Sequence, residues 1–505
     1  MITRRTIKVL SLFLAAAMAT VTAASCSDKK TSVNNPGQTG STGENPDTSG
    51  ESESEQLVEK LYGNRKNDYD GRIFRIIASE ECWGSSIGNN ANEVWFEDAG
   101  SDLLQRSIYE RNHKTEELLC ITITPVWDKT SEEIYDRVIS DNNSGVNEYD
   151  AVNITLALAM TCAQNGSAIN LLRCQTFDES HPWWNQTFVD QCTLFGTQLY
   201  PIAGAINYGD DLSNRMVIFN QDFLDRYGCG DPYQYVFDGT WTIENMMAMA
   251  QKCTQDINGD GEMDENDNWG VGSGGMTLYD NLVGMDTAVS NLGEDGYPVI
   301  LSKNEDHVTK VEYFFKNIID TDYLYYGGIT GSADVSYMDL FSNSQLAFGF
   351  VMLGSSIQLR GMDDYCGVLP MPKYNEEQTK YTSGANTLWF TTYIIPKSCT
   401  DPDYSAACLE VMSGYSVDTL DHNLNDVIFQ SKVARDENAR KCFDIIKDTL
   451  SFDWSFIGSW RGNLVSAYEL KYGYSFTLVS RVESAYDAAQ ENLDVMIDAF
   501  RDRDY

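Results

Sequence analysis

The motif with the most specific chemistry in this sequence is an acidic loop at residues 256–267, which reads DINGDGEMDEND. Ca²⁺ takes six to eight oxygen ligands, and a twelve-residue loop supplies them from alternate positions around a glycine at position 6. Gly261 occupies that position, and Asp267 stands at position 12, where Glu is usual. The loop predicts a structural calcium site, and the alternative is a solvated acidic turn. The predicted ligands are Asp256, Asn258, Asp260, Glu262 (through its backbone carbonyl), Asp264 and Asp267.

A second group of residues has the chemistry that recognises sugars. Aromatic rings pack against the C–H faces of a sugar, while carboxylates, amides and guanidinium groups bond its hydroxyls. Any one aromatic residue belongs more often to the core than to a ligand platform, so the prediction is that several members of the group line one cleft. The candidates are Glu81, Trp83, Asn153, Asn207, Tyr208, Asp210, Tyr279, Asp280, Ser356, Trp389, Trp454, Trp460 and Arg461.

Composition excludes several classes of protein. The chain has 505 residues, which is long enough for two or three lobes. Its formal charge of −39 repels phosphate backbones and argues against nucleic-acid binding. Only four histidines are present, and they are scattered, so a histidine-rich zinc or iron site is not expected. The chain also lacks the H-E-x-x-H and Walker A motifs, so we expect no enzyme.

The N-terminus has the features of a targeting segment. Residues 1–26 combine an early positive region with a short apolar run, and Ala23-Ala24-Ser25-Cys26 resembles a bacterial lipobox. We expect Cys26 to carry a lipid, an ordinary secretory signal being the alternative. Residues 27–56 are rich in small and polar residues and are predicted to be a disordered tether. Most of the other cysteines are expected to be small buried hydrophobes, and the sequence leaves open whether one or two disulfides form.

The remainder alternates between strand and helix patterns. Strands are predicted at 74–78, 121–126, 149–154, 216–220, 269–272 and 347–353, and helices at 101–119, 131–140, 222–227 and 242–253. Such alternation favours parallel sheets covered by helices. Ligands bind such sheets beyond the carboxyl ends of the strands.

Four segments, taken in order, resemble the extracellular solute-binding proteins of carbohydrate ABC importers, the family that includes maltose-binding protein. They are FRIIASEECWG (74–84), GTQLYPIAGAINYGDDLSNRMVIFNQDFLDRYG (196–228), GTWTIENMMAMAQ (239–251) and YCGVLPMPKYNEEQTKYTSGANTLWFTTYIIPKSCTDPDYSAACLEVM (365–412). The resemblance spans nearly all of 70–505. It implies an α/β, two-lobed fold of the periplasmic-binding-protein type II class, with a hinge and a ligand cleft between the lobes.

The resemblance also implies a division of the chain. Lobe 1 is expected to comprise 57–200 and 346–398, and lobe 2 to comprise 201–345 and 399–505. The chain would cross between lobes near Tyr200, Leu346 and Ser398. Tyr208, Tyr279 and Trp460 lie in stretches where the family often places ligand contacts.

The sequence therefore predicts a monomeric solute-binding lipoprotein on the extracellular face of a bacterial membrane. It would capture a carbohydrate, in particular an oligosaccharide, and deliver it to the permease subunits of an ABC transporter. A receptor for peptides or other polar solutes on the same fold is the alternative. A surface adhesin and a glycoside hydrolase, which would need two carboxylates at a fixed separation, are favoured less.

Overall fold

The computed structural model describes residues 52–65, 68–80, 93–274, 282–327, 335–356, 359, 361–424, 436–457, 464, 468, 478–501 and 503. These residues all belong to one compact unit, Glu51–Tyr505. The first helix begins at Glu53, where the Ser52 hydroxyl accepts a hydrogen bond from the Glu55 amide at 3.1 Å. The predicted tether at 27–56 therefore extends four residues too far, because this capped helix already includes residues 53–56.

The first sheet has four strands in the order β12-β3-β1-β2. Strands β1, β2 and β3 are parallel, and β12 lies antiparallel to β3 at the edge. The register of β1 on β2 runs from Arg72 opposite Ile121 to Ser79 opposite Asp128. The strands are β1 (Arg72–Ser79), β2 (Ile121–Asp128), β3 (Ala151–Thr155) and β12 (Thr391–Ile394).

The second sheet has five strands in the order β10-β4-β9-β5-β8. Strand β9 is parallel to β5 and antiparallel to β4, and every residue of β4 and β5 is buried. Its strands are β4 (Arg215–Asn220), β5 (Trp269–Ser273), β8 (Leu324–Tyr326), β9 (Leu346–Met352) and β10 (Cys366–Leu369). Two further pairs are β6 (Ser290–Leu292) with β7 (Pro298–Ile300) and β11 (Ser383–Gly384) with β13 (Leu450–Ser451).

Helices cover both sheets. Among the predicted helices, α9 begins where expected, since the Thr242 hydroxyl accepts a hydrogen bond from the Asn245 amide at 3.3 Å. The helices are α1 (Glu53–Tyr62), α2 (Leu103–Leu119), α3 (Ser131–Ser144), α4 (Leu156–Gln164), α5 (Gln186–Cys192), α6 (Gly209–Leu212), α7 (Gln221–Arg226), α8 (Pro232–Phe237), α9 (Ile243–Cys253), α10 (Glu305–Phe314), α11 (Tyr337–Ser342), α12 (Leu353–Ser356), α13 (Pro402–Ser416), α14 (Glu437–Asp448) and α15 (Leu478–Arg501).

We call each sheet together with the helices packed on it a lobe. Helices α1, α2 and α13 pack against one another beside the four-stranded sheet, and these form part of the first lobe. Helices α8, α9, α11 and α14 pack on the strands of the five-stranded sheet and form part of the second lobe. The predicted α/β class with two sheets is confirmed.

The chain passes between the lobes at positions that differ in part from those expected. The first crossing lies between Ile202, which is bridged to Tyr393 of β12, and Arg215, which begins β4. The expected return near Leu346 does not occur, because β9 is an apolar strand that pairs with β4 and β5 in the second sheet. The return takes place between β10 and β12. The expected crossing near Ser398 also does not occur there, since α13 packs on α1 and α2.

Cysteines in the described part of the chain are free thiols. Nine of these ten side chains are buried, and Cys120 is partly exposed. Burial raises the pKa of Cys162 to about 12, which keeps this thiol protonated. The expectation that most cysteines serve as small buried hydrophobes is confirmed for nine of these ten.

Candidate functional site

The carboxyl ends of the two sheets meet at the segments that cross between the lobes. The amide of Leu156, which follows β3, donates to the Phe390 carbonyl at 2.8 Å. The amide of Leu353, which follows β9, donates to the Asn214 carbonyl at 2.9 Å. Asn214 is bridged to Ala385, so the two crossings run side by side. We call this region, made of residues 155–156, 213–214, 353–356 and 385–390, the strand-end edge.

Trp389 is the candidate ligand platform at the strand-end edge. It lies in a turn closed by its own amide, which donates to the Asn386 carbonyl at 2.9 Å, directly before β12. Its side chain is 43 % exposed, whereas the other tryptophans of the described residues are buried or only partly exposed. An exposed indole beside the carboxyl ends of strands can pack against the C–H face of a sugar.

A buried carboxylate holds the start of the first crossing. Glu93 is 1 % exposed and accepts hydrogen bonds from the side-chain amides of Asn153 at 2.8 Å and Asn207 at 2.9 Å. It also accepts from the backbone amides of Tyr208 at 2.9 Å and Gly209 at 3.0 Å. Asn153 and Asn207, predicted as ligand contacts, therefore use their donors within the protein. Tyr208 is also buried, at 1 % exposed.

A buried guanidinium fixes the same region from the side of α2. Arg111 is fully buried and donates to the backbone carbonyls of Ile206, Glu93 and Val94 at 3.0–3.1 Å. Its Nε donates to the Asn112 side chain at 3.0 Å. Burial lowers the pKa of Arg111, partly offset by the charge of Glu93. Arg111 and Glu93 together connect α2, the segment at residues 93–94 and the first crossing.

A polar cavity of about 430 Å³ lies against the first crossing, walled by residues of both lobes. Four carboxylates line it, from Asp210, Asp211, Asp421 and Asp448, together with the ammonium of Lys447. Burial, followed by the charges of Asp211 and Glu93, raises the pKa of Asp210. Burial opposes the charge of Lys447, but Asp211 and Asp421 outweigh it and raise the pKa of that amine. Lys447 is therefore the cation of this cavity.

Two further predicted ligand residues are buried. Trp454 is 1 % exposed, and its indole N–H donates to the Gln191 carbonyl at 2.9 Å. Ser356 is 2 % exposed, and its hydroxyl donates to the Leu353 carbonyl at 2.7 Å. A solute could reach neither side chain without a rearrangement, so the structure argues against both predictions. Their polar atoms made them candidates in the sequence, yet each is satisfied inside the protein.

Several predicted site residues lie outside the described residues. They are Glu81, Trp83, Tyr279, Asp280, Trp460 and Arg461 of the ligand set and Cys26 of the lipidation motif. In the sequence, Glu81 and Trp83 follow β1, and Tyr279 and Asp280 follow β5. Each pair therefore comes after the carboxyl end of a strand in one of the two sheets. Their role as ligand contacts remains a prediction.

The acidic loop closes on itself through its own carboxylates. The two oxygens of Asp256 accept hydrogen bonds from the amides of Gly259 at 2.6 Å and Gly261 at 2.9 Å. Asp267, fully buried, accepts from Ile257 and Asp264, both at 3.0 Å. No group of three or more His, Cys, Asp or Glu side chains is gathered to hold a metal ion within the described ranges. The calcium site therefore stays a prediction.

Sequence reasoning missed the residues that organise the crossings. Glu93, Arg111 and Lys447 carry no motif, and one sequence contains many similar charges. Glu410 was missed for the same reason: it is fully buried and accepts from the indole N–H groups of Trp183 at 2.7 Å and Trp184 at 3.1 Å. The available signal was the location of Glu410 within an otherwise apolar stretch of α13, AACLEVM.

No protein-family model matches the chain, and no curated protein matches it. Several solved structures, however, do match the chain. The sugar-binding protein MalE from Xanthomonas citri is 13 % identical, with a TM-score of 0.57 over 84 % of this chain and 98 % of that one. UspC from Mycobacterium tuberculosis is 15 % identical, with a TM-score of 0.55 over 83 % and 100 %. UgpB from M. tuberculosis, in complex with glycerophosphocholine, is 13 % identical, with a TM-score of 0.52 over 85 % and 99 %.

These likenesses cover most of the chain and nearly the whole of each solved structure. The protein therefore has the two-lobed fold of the type II periplasmic binding proteins, which confirms the fold class predicted from the sequence. At such low identity the likeness shows the fold alone. None of the helices in the described ranges has the length and apolar character that a membrane span requires.

Proposed function

We propose that this protein is the solute-binding component of an ABC importer and captures a carbohydrate between its lobes. One observation carries the proposal: the exposed indole of Trp389 lies where the carboxyl ends of both sheets meet, beside the segments that cross between the lobes. Ligands of open α/β sheets bind at such ends. A cleft between two lobes linked by crossing segments can close on a solute.

The solved structures with this fold support the same function. The Xanthomonas citri protein is described as sugar-binding, and its likeness covers 84 % of this chain. An indole platform is the feature that a carbohydrate requires and that a small inorganic ion does not. We infer an oligosaccharide, because a longer sugar can contact several loops and the predicted aromatic residues that the structure has not shown to be buried are spread along the sequence, at Trp83, Tyr279, Trp389 and Trp460.

The experiment is a calorimetric titration of the purified protein with a panel of solutes. The panel contains plant and host oligosaccharides, monosaccharides, short peptides and glycerophosphocholine. Saturable binding of an oligosaccharide with micromolar affinity is expected. Binding of peptides without any sugar would overturn the carbohydrate assignment while retaining a receptor on this fold.

A second candidate is a receptor for a polar solute that is not a sugar. It has one specific observation in its favour: UgpB, which has the same fold, is seen in complex with glycerophosphocholine. The same titration separates the two candidates. A bound sugar recovered unchanged after prolonged incubation would also agree with a binding protein and argue against a glycosidase.

We further propose that the protein is held at the extracellular face of the cell membrane by a lipid on Cys26 and delivers its solute to permease subunits. The lipobox-like Ala23-Ala24-Ser25-Cys26 supports the anchor. In cells, the protein is expected to partition into the detergent phase, and the C26S variant into the aqueous phase. Aqueous partitioning of the parent protein would contradict the anchor.

A further inference from the structure

Two buried thiols are in contact in the second lobe. Cys229 lies in the segment after α7, and Cys253 is the last residue of α9. Their sulfur atoms are 3.7 Å apart, and the two residues are 6 % and 0 % exposed. The sulfurs of a disulfide are about 2.0 Å apart, so these two need to approach by about 1.7 Å to form the bond.

The backbone around Cys229 has room for that movement. Gly228 and Gly230 flank it, both are exposed, and their φ angles are 64° and 83°. No other group lies within 4 Å of the place that a Cβ would occupy on either glycine. Cys253 is held more firmly, because it belongs to the eleven-residue helix α9. Movement of the Cys229 segment alone therefore brings the two sulfurs together.

The two thiols differ in their readiness to react. Burial, followed by the neighbouring Cys229 thiol, raises the pKa of Cys253, so this thiol stays protonated. A thiolate, not a thiol, attacks a disulfide. The exposed glycines on either side of Cys229 let its segment open toward solvent. The reaction with an oxidant therefore begins at Cys229.

We propose that Cys229 and Cys253 are a disulfide-forming pair, which a small-molecule disulfide oxidises. The Cys229 thiolate attacks one sulfur of the oxidant, forms a mixed disulfide and releases a first thiolate. Cys253 then gives its proton to water, attacks the Cys229 sulfur and releases a second thiolate. Two protein thiols are oxidised to one disulfide, and the oxidant is reduced to two thiols, which take up the two protons. The extracellular location proposed above supplies oxidising conditions.

The bond would brace the base of the acidic loop. The Tyr227 hydroxyl accepts a hydrogen bond from the Asn268 side chain at 2.7 Å and donates to the Gln255 side chain at 3.3 Å. Gln255 and Asn268 are paired through their backbones at 2.9 and 3.1 Å. The disulfide would lie two residues from Tyr227 on one side and two residues from Gln255 on the other. It should also stabilise the protein, because a cross-link restricts the unfolded chain.

The test is incubation of the purified full chain with oxidised glutathione, followed by alkylation under denaturing conditions and mapping of the peptides by mass spectrometry. We expect a peptide pair linked through Cys229 and Cys253. The oxidised protein should melt roughly 3–5 °C above the same protein kept with reductant. Scanning calorimetry measures this shift.

The C229S variant should lose both the linked peptide and the shift in melting temperature. C192A is the matched control, since Cys192 is also buried and burial alone raises the pKa of its thiol. It should keep both. Parent protein in which Cys229 and Cys253 are both alkylated after exposure to the oxidant would overturn the proposal, even if C229S does not fold. This result does not depend on whether the protein binds a sugar.

Discussion

At the scale of single residues, Trp389 is the most informative side chain for the proposed function. The W389A variant should bind its sugar about tenfold more weakly, because the packing of a ring on a sugar face is lost. Calorimetric titration measures this change. F237A is the matched control, since Phe237 is equally exposed, at 42 %, but ends α8 rather than lying at the strand ends. Equal losses in both variants would argue against a specific platform.

Glu93 is the residue on which the first crossing most depends. E93Q should lower the free energy of unfolding by roughly 2 kcal/mol, because an amide donor would then face groups that already donate. Chemical denaturation measures this change. E97Q is the control, since Glu97 is exposed on the same segment, and it should leave stability unchanged. An E93Q protein as stable as the parent would show that the four hydrogen bonds contribute little.

The sequence predicted which types of residue a sugar site needs better than it predicted which individual residues are accessible to a solute. Asn153 and Trp454 have the polar or aromatic chemistry that a sugar site needs, but their side-chain N–H groups donate to partners inside the protein. Whether such a side chain faces a cleft or a core depends on packing between segments distant in the chain. Trp389 shows the opposite outcome, because the turn before β12 leaves its ring exposed.

At the scale of elements, the acidic loop between α9 and β5 is predicted to bind Ca²⁺. Calcium should raise the melting temperature, since an ion that binds the folded state at about 100 times its Kd adds about 2.7 kcal/mol of stability. Magnesium should do less, because it requires a smaller octahedral shell. Scanning calorimetry with calcium, magnesium or chelator measures the effect. A melting curve that chelator leaves unmoved would identify the loop as an acidic turn.

Two variants of the loop separate a calcium site from general charge repulsion. D260A should remove the calcium-dependent part of the stability and leave sugar affinity intact, because the loop precedes the amino end of β5, whereas the strand-end edge lies at the carboxyl ends of β5 and its parallel neighbour β9. E265A removes an exposed charge at a position that is not a ligand in the twelve-residue pattern, and it should keep the calcium response. Loss of sugar binding in D260A without loss of stability would place the cation in the ligand site instead.

The loop before α5 and helix α13 are coupled through His181. Burial opposes protonation of its ring, but the hydrogen bond to Glu410 at 2.8 Å and nearby carboxylate charges outweigh burial and raise the pKa of His181. A raised pKa stabilises the folded protein fully below the unfolded value of about 6.5, and the contribution is lost as pH rises through the folded value. The stability difference between the parent and H181Q should therefore shrink above about pH 6.5. A difference independent of pH, from denaturation between pH 5.5 and 8.5, would contradict this coupling.

Elements with strong local patterns were predictable. The strand at 74–78, the helix at 101–119 and the capped helix at 242–253 appear as β1, α2 and α9 because each combines periodic apolar residues with a clear end signal. The assignment of elements to lobes was less accurate. An apolar strand such as β9 fits either sheet, and its sequence does not specify which neighbour it pairs with.

At the scale of the whole molecule, the proposed function depends on two lobes that close on a solute. The sequence supported the fold through the order of its segments, and the structure confirms the two sheets. The positions of the crossings could not be predicted from the sequence, because they depend on pairing between residues that are distant in the chain, such as the bridge between Asn214 and Ala385. In the proposed function, the lobes close by movement about these crossings. A ligand drives that closure only when it binds the closed arrangement better than the open one.

The measurement that tests the central claim most directly is small-angle scattering of the protein with and without a saturating oligosaccharide. If the solute is captured between the lobes, their closure around it should reduce the radius of gyration, and the W389A variant should need more sugar to reach the same value. An unchanged radius of gyration at a sugar concentration that calorimetry shows to be saturating would contradict capture by closure of two lobes.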